Sequence, residues 1–115
     1  MNWITSIAVD PGNSDVVYFT APGDNTYTYK GVYKSINGGG SWQVMNTGIT
    51  NYNVGPIVID PNNSSVLYLG SKLNTAPLYK STNGGANWIL SSDLLTYPPV
   101  KMSGFRIFGA VFHGL

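Results

Sequence analysis

Apolar residues in this chain fall in short runs separated by turn formers, without the 3.6-residue spacing of amphipathic helices. Two of the runs, residues 16–19 and 66–69, are apolar at successive positions, which predicts strands buried on both faces. Between the runs lie turn-forming stretches such as residues 10–13 and 60–63. The pattern predicts an all-β fold of eight strands, at residues 4–9, 15–20, 31–34, 42–45, 55–59, 65–70, 77–80 and 88–91.

The second half of the chain repeats the first. The Asp-Pro turn at residues 10–11 recurs at 60–61, an offset of 50, and the Tyr-Lys-Ser run at 33–35 recurs at 79–81, an offset of 46. Four strands in each repeat of this length, with an aromatic motif, are typical of β-propeller blades. We therefore predict four-stranded antiparallel blades at residues 1–50 and 51–97, and the inner strand of an incomplete third blade within 98–115. Because propellers contain at least about four blades, this pattern predicts a fragment of a larger β-propeller.

The third and fourth strands of each repeat are joined by the pattern Ser-x-Asn-x-Gly-x-x-Trp. An Asn side chain can bond N–H groups of the turn, and glycine adopts positive φ without strain. The tryptophan is expected to bury its ring as the chain re-enters the sheet. We predict a structural role for these residues, which are Ser35, Asn37, Gly39 and Trp42 in the first copy and Ser81, Asn83, Gly85 and Trp88 in the second.

These turns resemble the Asp-box, also called the BNR repeat, with Asn in place of Asp in both copies. The loss of the charge argues against a metal or acid–base role. Sialidases, xyloglucanases, sortilin-like receptors and photosystem assembly propellers share the motif, and residues 60–70 look most like the xyloglucanases. That resemblance implies a carbohydrate-active propeller from an extracellular or periplasmic glycoside hydrolase acting on a β-glucan such as xyloglucan. The alternative is a non-catalytic propeller that binds a protein or peptide, as the sortilin-like and assembly-factor propellers imply.

In such propellers the Asp-box turns lie away from the substrate groove, so the loops at the opposite end are the candidate binding region. Tyrosine rings can stack on sugars, and Asn amides can bond hydroxyls as donor and acceptor. The candidate ligand-binding residues are Tyr27, Tyr29, Tyr52, Asn53 and Asn74. The alternative is that these loops are simply polar, with tyrosines packed on the rim.

Catalysis by this chain alone has weak support. Most glycosidases need two carboxyl groups about 5–9.5 Å apart. The five acidic residues are all Asp, and Asp24 and Asp93 are the pair expected on the groove side. Asp10 and Asp60 precede proline and are predicted to bond turn N–H groups. We therefore expect scaffold and part of a groove here, with the catalytic pair mostly in other blades.

The composition limits the classes of binding partner and cofactor that we expect. Six basic against five acidic residues give a net charge of +1, which offers no case for nucleic acid or an anionic membrane surface. The chain has no cysteine, so thiolate metal sites are excluded, and neither a metal nor a cofactor is predicted. The first residues lack a signal-peptide pattern. The expected partners are a polysaccharide and either the remaining blades or other copies of the chain.

Overall fold

The computed structural model describes residues 4–23, 30–71 and 78–90. In this part of the chain the structure is all-β, with two four-stranded antiparallel sheets and no helix. The first sheet has the order β1-β2-β3-β4 and the second the order β5-β6-β7-β8, so each is a simple up-and-down meander. The strands are β1 (Ser6–Val9), β2 (Val17–Ala21), β3 (Gly31–Ser35), β4 (Gln43–Val44), β5 (Val54–Ile59), β6 (Leu67–Ser71), β7 (Tyr79–Ser81) and β8 (Ile89–Leu90). The predicted all-β fold is confirmed.

Side chains in the turn between β1 and β2 fix its shape. The Asp10 carboxylate accepts the Gly12 N–H at 2.8 Å, and the Asn13 side chain accepts the Asp15 N–H at 3.1 Å. The Val16 N–H then bonds the Asn13 carbonyl at 3.0 Å. These bonds hold residues 13–16 in the turn, so the prediction that β2 begins at residue 15 was wrong by two residues. The second sheet repeats the geometry, and β6 likewise begins two residues after its predicted start.

The two sheets pack face to face, and the core lies between them. Tyr18 and Thr20 of β2 point from the first sheet toward the second, where the Thr20 hydroxyl donates to the Gly55 carbonyl at 2.8 Å. From the other side, Leu67 and Leu69 of β6 are completely buried. We call the side of the second sheet that contacts the first sheet its front face, and the opposite side its back face. The faces of the first sheet are named by the matching positions of the repeat, so the first sheet contacts the second through its back face.

The front face of the first sheet is exposed where that of the second is buried. Ile57 and Ile59 are 4% and 9% exposed, whereas their counterparts Ile7 and Val9 are 63% and 50% exposed. The prediction that the apolar runs are buried on both faces therefore fails at the front of β2, where Phe19 is only half-buried. The reason is geometric. The first sheet covers the front face of the second sheet, whereas no described residue covers the front face of the first sheet.

The predicted third-blade strand within 98–115 lies outside the described residues. Among the residues that are described, no helix has the length and apolar character needed to cross a membrane.

Candidate functional site at the loop end of the sheets

The connections of the two sheets divide between two ends. The linker from β4 to β5 (residues 45–53) and the last residues of β2 and β6 lie at one end, which we call the loop end. The turns from β1 to β2 and from β3 to β4 lie at the other, the turn end, where the Gly38 N–H bonds the Asp15 carbonyl at 2.8 Å. The strand directions therefore separate the Asn-Gly turns from the candidate binding loops.

Two of the predicted ligand-binding residues, Tyr52 and Asn53, lie at the loop end. Tyr52 is half-buried and packs against the core, and the Lys30 ammonium lies 5.1 Å from the centre of its ring. The Tyr52 carbonyl accepts the Gly23 N–H at 3.1 Å, which ties the linker to the segment after β2. Asn53 is partly exposed, and its N–H bonds the side chain of Asn51 at 2.9 Å. The loop end thus presents a cation, an aromatic ring and amides together.

The linker is held by contacts that reach both sheets. The Asn46 side chain accepts the Val32 N–H at 2.8 Å and donates to the Lys30 carbonyl at 2.9 Å, so it continues the bonding at the edge of β3. Further along, the Tyr79 hydroxyl accepts the N–H groups of Thr50 and Asn51 at 3.2 Å. These bonds fix the backbone that carries Tyr52, so its ring is presented from a rigid support.

The other candidates for binding and catalysis lie outside the described residues. They are Tyr27, Tyr29 and Asn74 as ligand-binding residues, and Asp24 and Asp93 as carboxylates.

Carboxylates within residues 4–23, 30–71 and 78–90 all lie at the turn end, where they belong to Asp10, Asp15 and Asp60. Hydrogen bonds from the Ser64 hydroxyl, at 2.7 Å, and from the Gly12 N–H lower the pKa of Asp10. Asp10 is therefore ionised at neutral pH and acts as an acceptor that joins the two sheets. Asp60 accepts the Asn62 N–H at 2.8 Å, so the predicted turn bonding of Asp10 and Asp60 is confirmed.

The side chains of the Ser-x-Asn-x-Gly turn form hydrogen bonds within the turn itself. The Ser35 hydroxyl accepts the N–H groups of Asn37 and Gly39, at 3.2 and 2.8 Å, and donates to the Asn37 side-chain oxygen at 2.9 Å. That oxygen also accepts the Ser41 N–H at 2.9 Å. Gly39 has φ +98°, which a side chain would strain. The second copy forms the same bonds around its own serine and Asn, so the predicted turn chemistry is present twice.

The two tryptophans that end these turns differ in burial. Trp88 is 3% exposed, and its indole N–H donates to the Met45 carbonyl at 2.9 Å. Trp42 is 42% exposed and meets Phe19 edge-on with ring centroids 4.8 Å apart. The expectation that both rings are buried is thus wrong for Trp42. The linker of the first sheet covers Trp88, and no described residue covers Trp42 in the same way.

Several residues that hold the two sheets together were not predicted from the sequence. The Lys34 ammonium and the Tyr18 hydroxyl both donate to the Gly84 carbonyl, at 3.1 and 3.2 Å. Burial and the nearby charge of Asp10 raise the pKa of Tyr18 to about 12, so its hydroxyl keeps the proton it donates. A signal was available, because tyrosine and lysine recur at 68 and 80 in the second copy.

Comparison with known proteins gives structural matches. No protein-family model and no curated protein sequence matches the chain. Among solved structures, an ancestral GH74 enzyme is 36% identical, with a TM-score of 0.60 over 76% of this chain. The GH74 enzyme of Niastella koreensis is 29% identical, with a TM-score of 0.55 over 76% of the chain. The GH74 xyloglucanase of Xanthomonas campestris is 16% identical, with a TM-score of 0.60 over 81%.

These matches and the sheet topology define the class of the protein as a β-propeller. The two described sheets are consecutive propeller blades, and we refer to them as blade 1 (β1–β4) and blade 2 (β5–β8). The chain is similar to part of glycoside hydrolase propellers of the GH74 kind, and spans 13–15% of the length of those three enzymes.

Proposed function

We propose that this chain supplies two blades, and part of a sugar-binding groove, to a carbohydrate-active β-propeller. The whole protein would be an extracellular glycoside hydrolase of the GH74 kind, acting on a β-glucan such as xyloglucan. The observation that carries this proposal is the 36% identity to an ancestral GH74 enzyme over 76% of the chain. Identity at that level over two blades goes beyond likeness of fold, which unrelated propellers also share.

The groove is placed at the loop end. Support comes from Tyr52 and Asn53, which lie there on a linker that is bonded to both blades, and from Lys30, which directly precedes β3 and has its ammonium over the Tyr52 ring. An aromatic ring offers a stacking surface for a pyranose, and amide and ammonium groups can bond its hydroxyls. The loops that carry Tyr27, Tyr29 and Asn74 extend from strands that end on the same side.

The Ser-x-Asn-x-Gly-x-x-Trp turns are proposed to be Asp-box variants with a structural role. Their polar side chains bond to one another within the turn, which leaves the Ser35 hydroxyl and the Asn37 side-chain oxygen occupied rather than directed at a ligand. They also lie at the turn end, opposite the proposed groove. A carboxylate in place of Asn37 would satisfy the same N–H donors, so Asn preserves the fold of the turn without its charge.

Catalytic carboxylates are proposed to come mainly from other blades of the whole protein. From this chain, Asp24 and Asp93 are the candidates, because the described carboxylates all lie in turns at the opposite end. The chain by itself is then a binding and scaffolding unit.

The test is binding of xyloglucan oligosaccharides to the purified chain, measured by titration calorimetry. Tyr52→Ala should weaken binding at least about tenfold, since stacking on one aromatic ring contributes on the order of 1.5 kcal/mol. Tyr52→Phe keeps the ring and should bind within about twofold of the parent. Ile36→Ala, an exposed substitution at the turn end, should have no effect. Binding that Tyr52→Ala leaves unchanged, or no binding by the folded chain, would overturn the proposal.

A protein-binding propeller is the second candidate, and the environment of Tyr52 favours it. The ring is half-buried against the core with the Lys30 ammonium over it, so less of its face is open than in an unobstructed stacking platform. A surface of this kind suits a polar protein contact. A folded chain that binds no β-glucan would move the assignment to this candidate.

A further inference from the structure

Each Ser-x-Asn-x-Gly turn contains an asparagine that is followed directly by a glycine. Asn37-Gly38 in blade 1 and Asn83-Gly84 in blade 2 are the two Asn-Gly pairs of the sequence. The backbone nitrogen of the residue after an asparagine can attack the side-chain amide and close a cyclic imide. Glycine favours this attack, because it has no Cβ to obstruct it and its backbone adopts the widest range of conformations. The same position of both repeats therefore carries a pair suited to deamidation.

The reaction needs only water as a co-reactant. In blade 1, the Gly38 nitrogen loses its proton and bonds to the side-chain carbonyl carbon of Asn37, and the side-chain nitrogen leaves with that proton as ammonia. Water then adds to one of the two imide carbonyl carbons, which becomes a carboxyl group, and its bond to the Gly38 nitrogen breaks as that nitrogen regains a proton. Opening at the side-chain carbon gives aspartate. Opening at the backbone carbon gives isoaspartate, in which the main chain runs through the former side chain.

The folded turn of blade 1 holds both reacting groups in hydrogen bonds. The Asn37 side-chain oxygen accepts the Ser35 hydroxyl and the Ser41 N–H, each at 2.9 Å, and the side-chain nitrogen donates to the Ser41 hydroxyl at 2.9 Å. The attacking group, the Gly38 N–H, donates to the Asp15 carbonyl at 2.8 Å. Closing the imide requires the amide to rotate and the N–H to lose its proton, so these bonds have to break first.

The turn of blade 2 holds its Asn-Gly pair in the same way. The Asn83 side-chain oxygen accepts the Ser81 hydroxyl at 3.0 Å and the Asn87 N–H at 2.9 Å. The Asn83 side-chain nitrogen donates to the Asn87 side chain at 2.9 Å, and the Gly84 N–H donates to the Ser65 carbonyl at 2.9 Å. Asn83 is exposed even though blade 1 packs against the front of blade 2. Water therefore reaches this asparagine in the folded chain, and the hydrogen bonds of the turn are what restrain the reaction.

We propose that Asn37 and Asn83 are deamidation sites controlled by the turn, which must open for the imide to form and which closes again around aspartate but not around isoaspartate. Aspartate has two acceptor oxygens for the serine hydroxyl and the N–H that the asparagine oxygen now accepts. Isoaspartate adds a carbon to the main chain, and this shifts the residues that bond across two to four positions. Because ammonia is lost, the change from a neutral to a charged turn runs in one direction.

The first test compares deamidation of the full chain in buffer and in urea at the same mildly alkaline pH, with each site followed by peptide mass spectrometry. In urea, both Asn-Gly pairs should react faster than every other asparagine. In buffer, both should react at least about 100-fold more slowly, since the reaction waits for a local opening that is rarely populated. Similar rates in buffer and in urea would overturn the proposal, as would faster reaction of another asparagine in urea.

Two matched variants separate opening of one turn from unfolding of the chain. Ser35→Ala removes the hydroxyl that bonds the Asn37 side chain and should speed deamidation at Asn37 about tenfold, while Asn83 stays within about twofold of the parent. Ser81→Ala should do the reverse. In each variant the unaltered turn is the control within the same molecule. Equal acceleration at both sites would overturn the proposal, because unfolding of the whole chain would then set the rate.

The products provide the last measurement. Parent chain that has reacted in urea is returned to buffer, and the refolded fraction is separated by gel filtration. That fraction should contain aspartate at both sites, and isoaspartate, detected by its enzymatic methylation, should be confined to the fraction that does not refold. Isoaspartate at either site in the refolded fraction would overturn the proposal. These measurements concern the turn end alone, so they do not depend on whether the loop end binds a sugar.

Discussion

Replacing each of the two tryptophans by alanine tests the assignment of the covered face. Trp88→Ala removes a ring that is 3% exposed and leaves the Met45 carbonyl without its indole donor. Full removal of a buried aromatic ring costs about 3–5 kcal/mol, so we expect the free energy of unfolding to fall by about 4 kcal/mol. Trp42 is 42% exposed. The difference in exposure is about 100 Å² for a ring of about 250 Å², or about 2.5 kcal/mol at ~25 cal/mol per Å². We therefore expect Trp42→Ala to cost about 1.5 kcal/mol.

The assay is urea unfolding followed by far-ultraviolet circular dichroism, because tryptophan fluorescence would change with the substitution itself. Trp88→Phe, which keeps most of the packing but loses the hydrogen bond, should fall between the parent and Trp88→Ala. Equal losses for Trp42→Ala and Trp88→Ala would refute the reasoning, because they would mean that the two rings are equally buried.

Three further substitutions test single contacts. Asn37→Asp should raise the melting temperature at pH 7 and the free energy of unfolding by about 1 kcal/mol, because hydrogen bonds to a carboxylate are stronger than those to an amide. These bonds lower the pKa of the introduced carboxyl in the folded chain. The added stability is therefore complete above the ordinary aspartate pKa and is lost as the pH falls through the lowered pKa. Ser64→Ala should raise the pKa of Asp10 toward its ordinary value, measured by carbon-13 NMR titration, since the Ser64 hydroxyl is the largest cause of its lowering. Gly48→Ala should destabilise the chain by about 2–4 kcal/mol in urea unfolding, because Gly48 has φ +98° and a Cβ there would overlap the Trp88 carbonyl.

Two of these substitutions have a matched control variant. Gly12→Ala places a Cβ in ordinary contact at a glycine without positive φ and should cost less than about 0.5 kcal/mol. Ser14→Ala, the counterpart of the Ser64 change, should leave the pKa of Asp10 where it is. The prediction for Asn37→Asp is contradicted if the variant still melts at a higher temperature than the parent at pH 2, where an aspartate in this turn would be protonated.

Local chemistry was predictable from the sequence because the repeat displays it twice. Asn37 and Asp60, which bond within their own turns, were identifiable from their residue type and spacing. The starts of β2 and β6 were predicted two residues early because Asn13 and Asn63 extend the preceding turns through side-chain hydrogen bonds, which a pattern of apolar residues does not reveal.

Burial and contacts between blades could not be predicted in the same way. Trp42 and Trp88 occupy identical positions in the repeat, and within the described residues they differ because the linker from β4 to β5 covers Trp88 alone. The Lys30 ammonium over Tyr52 depends on how two segments meet at the loop end, which no local pattern encodes. The residue types of the candidate site can therefore be predicted from the sequence, whereas the exposure of their side chains depends on how the segments pack.

The hydrogen bonds of the Ser-x-Asn-x-Gly turn have a consequence for the order of folding. Within the turn they join residues two to four positions apart, whereas the side-chain bonds between the blades, leaving aside the Trp88 and Tyr79 contacts with the linker, join residues 35 to 66 positions apart. Closing a short loop costs little chain entropy and is fast, so each β3–β4 or β7–β8 hairpin can form before its blade has a neighbour. Blade stacking then proceeds between preformed hairpins, and substitutions in the turn slow folding while those at the blade contact mainly speed unfolding.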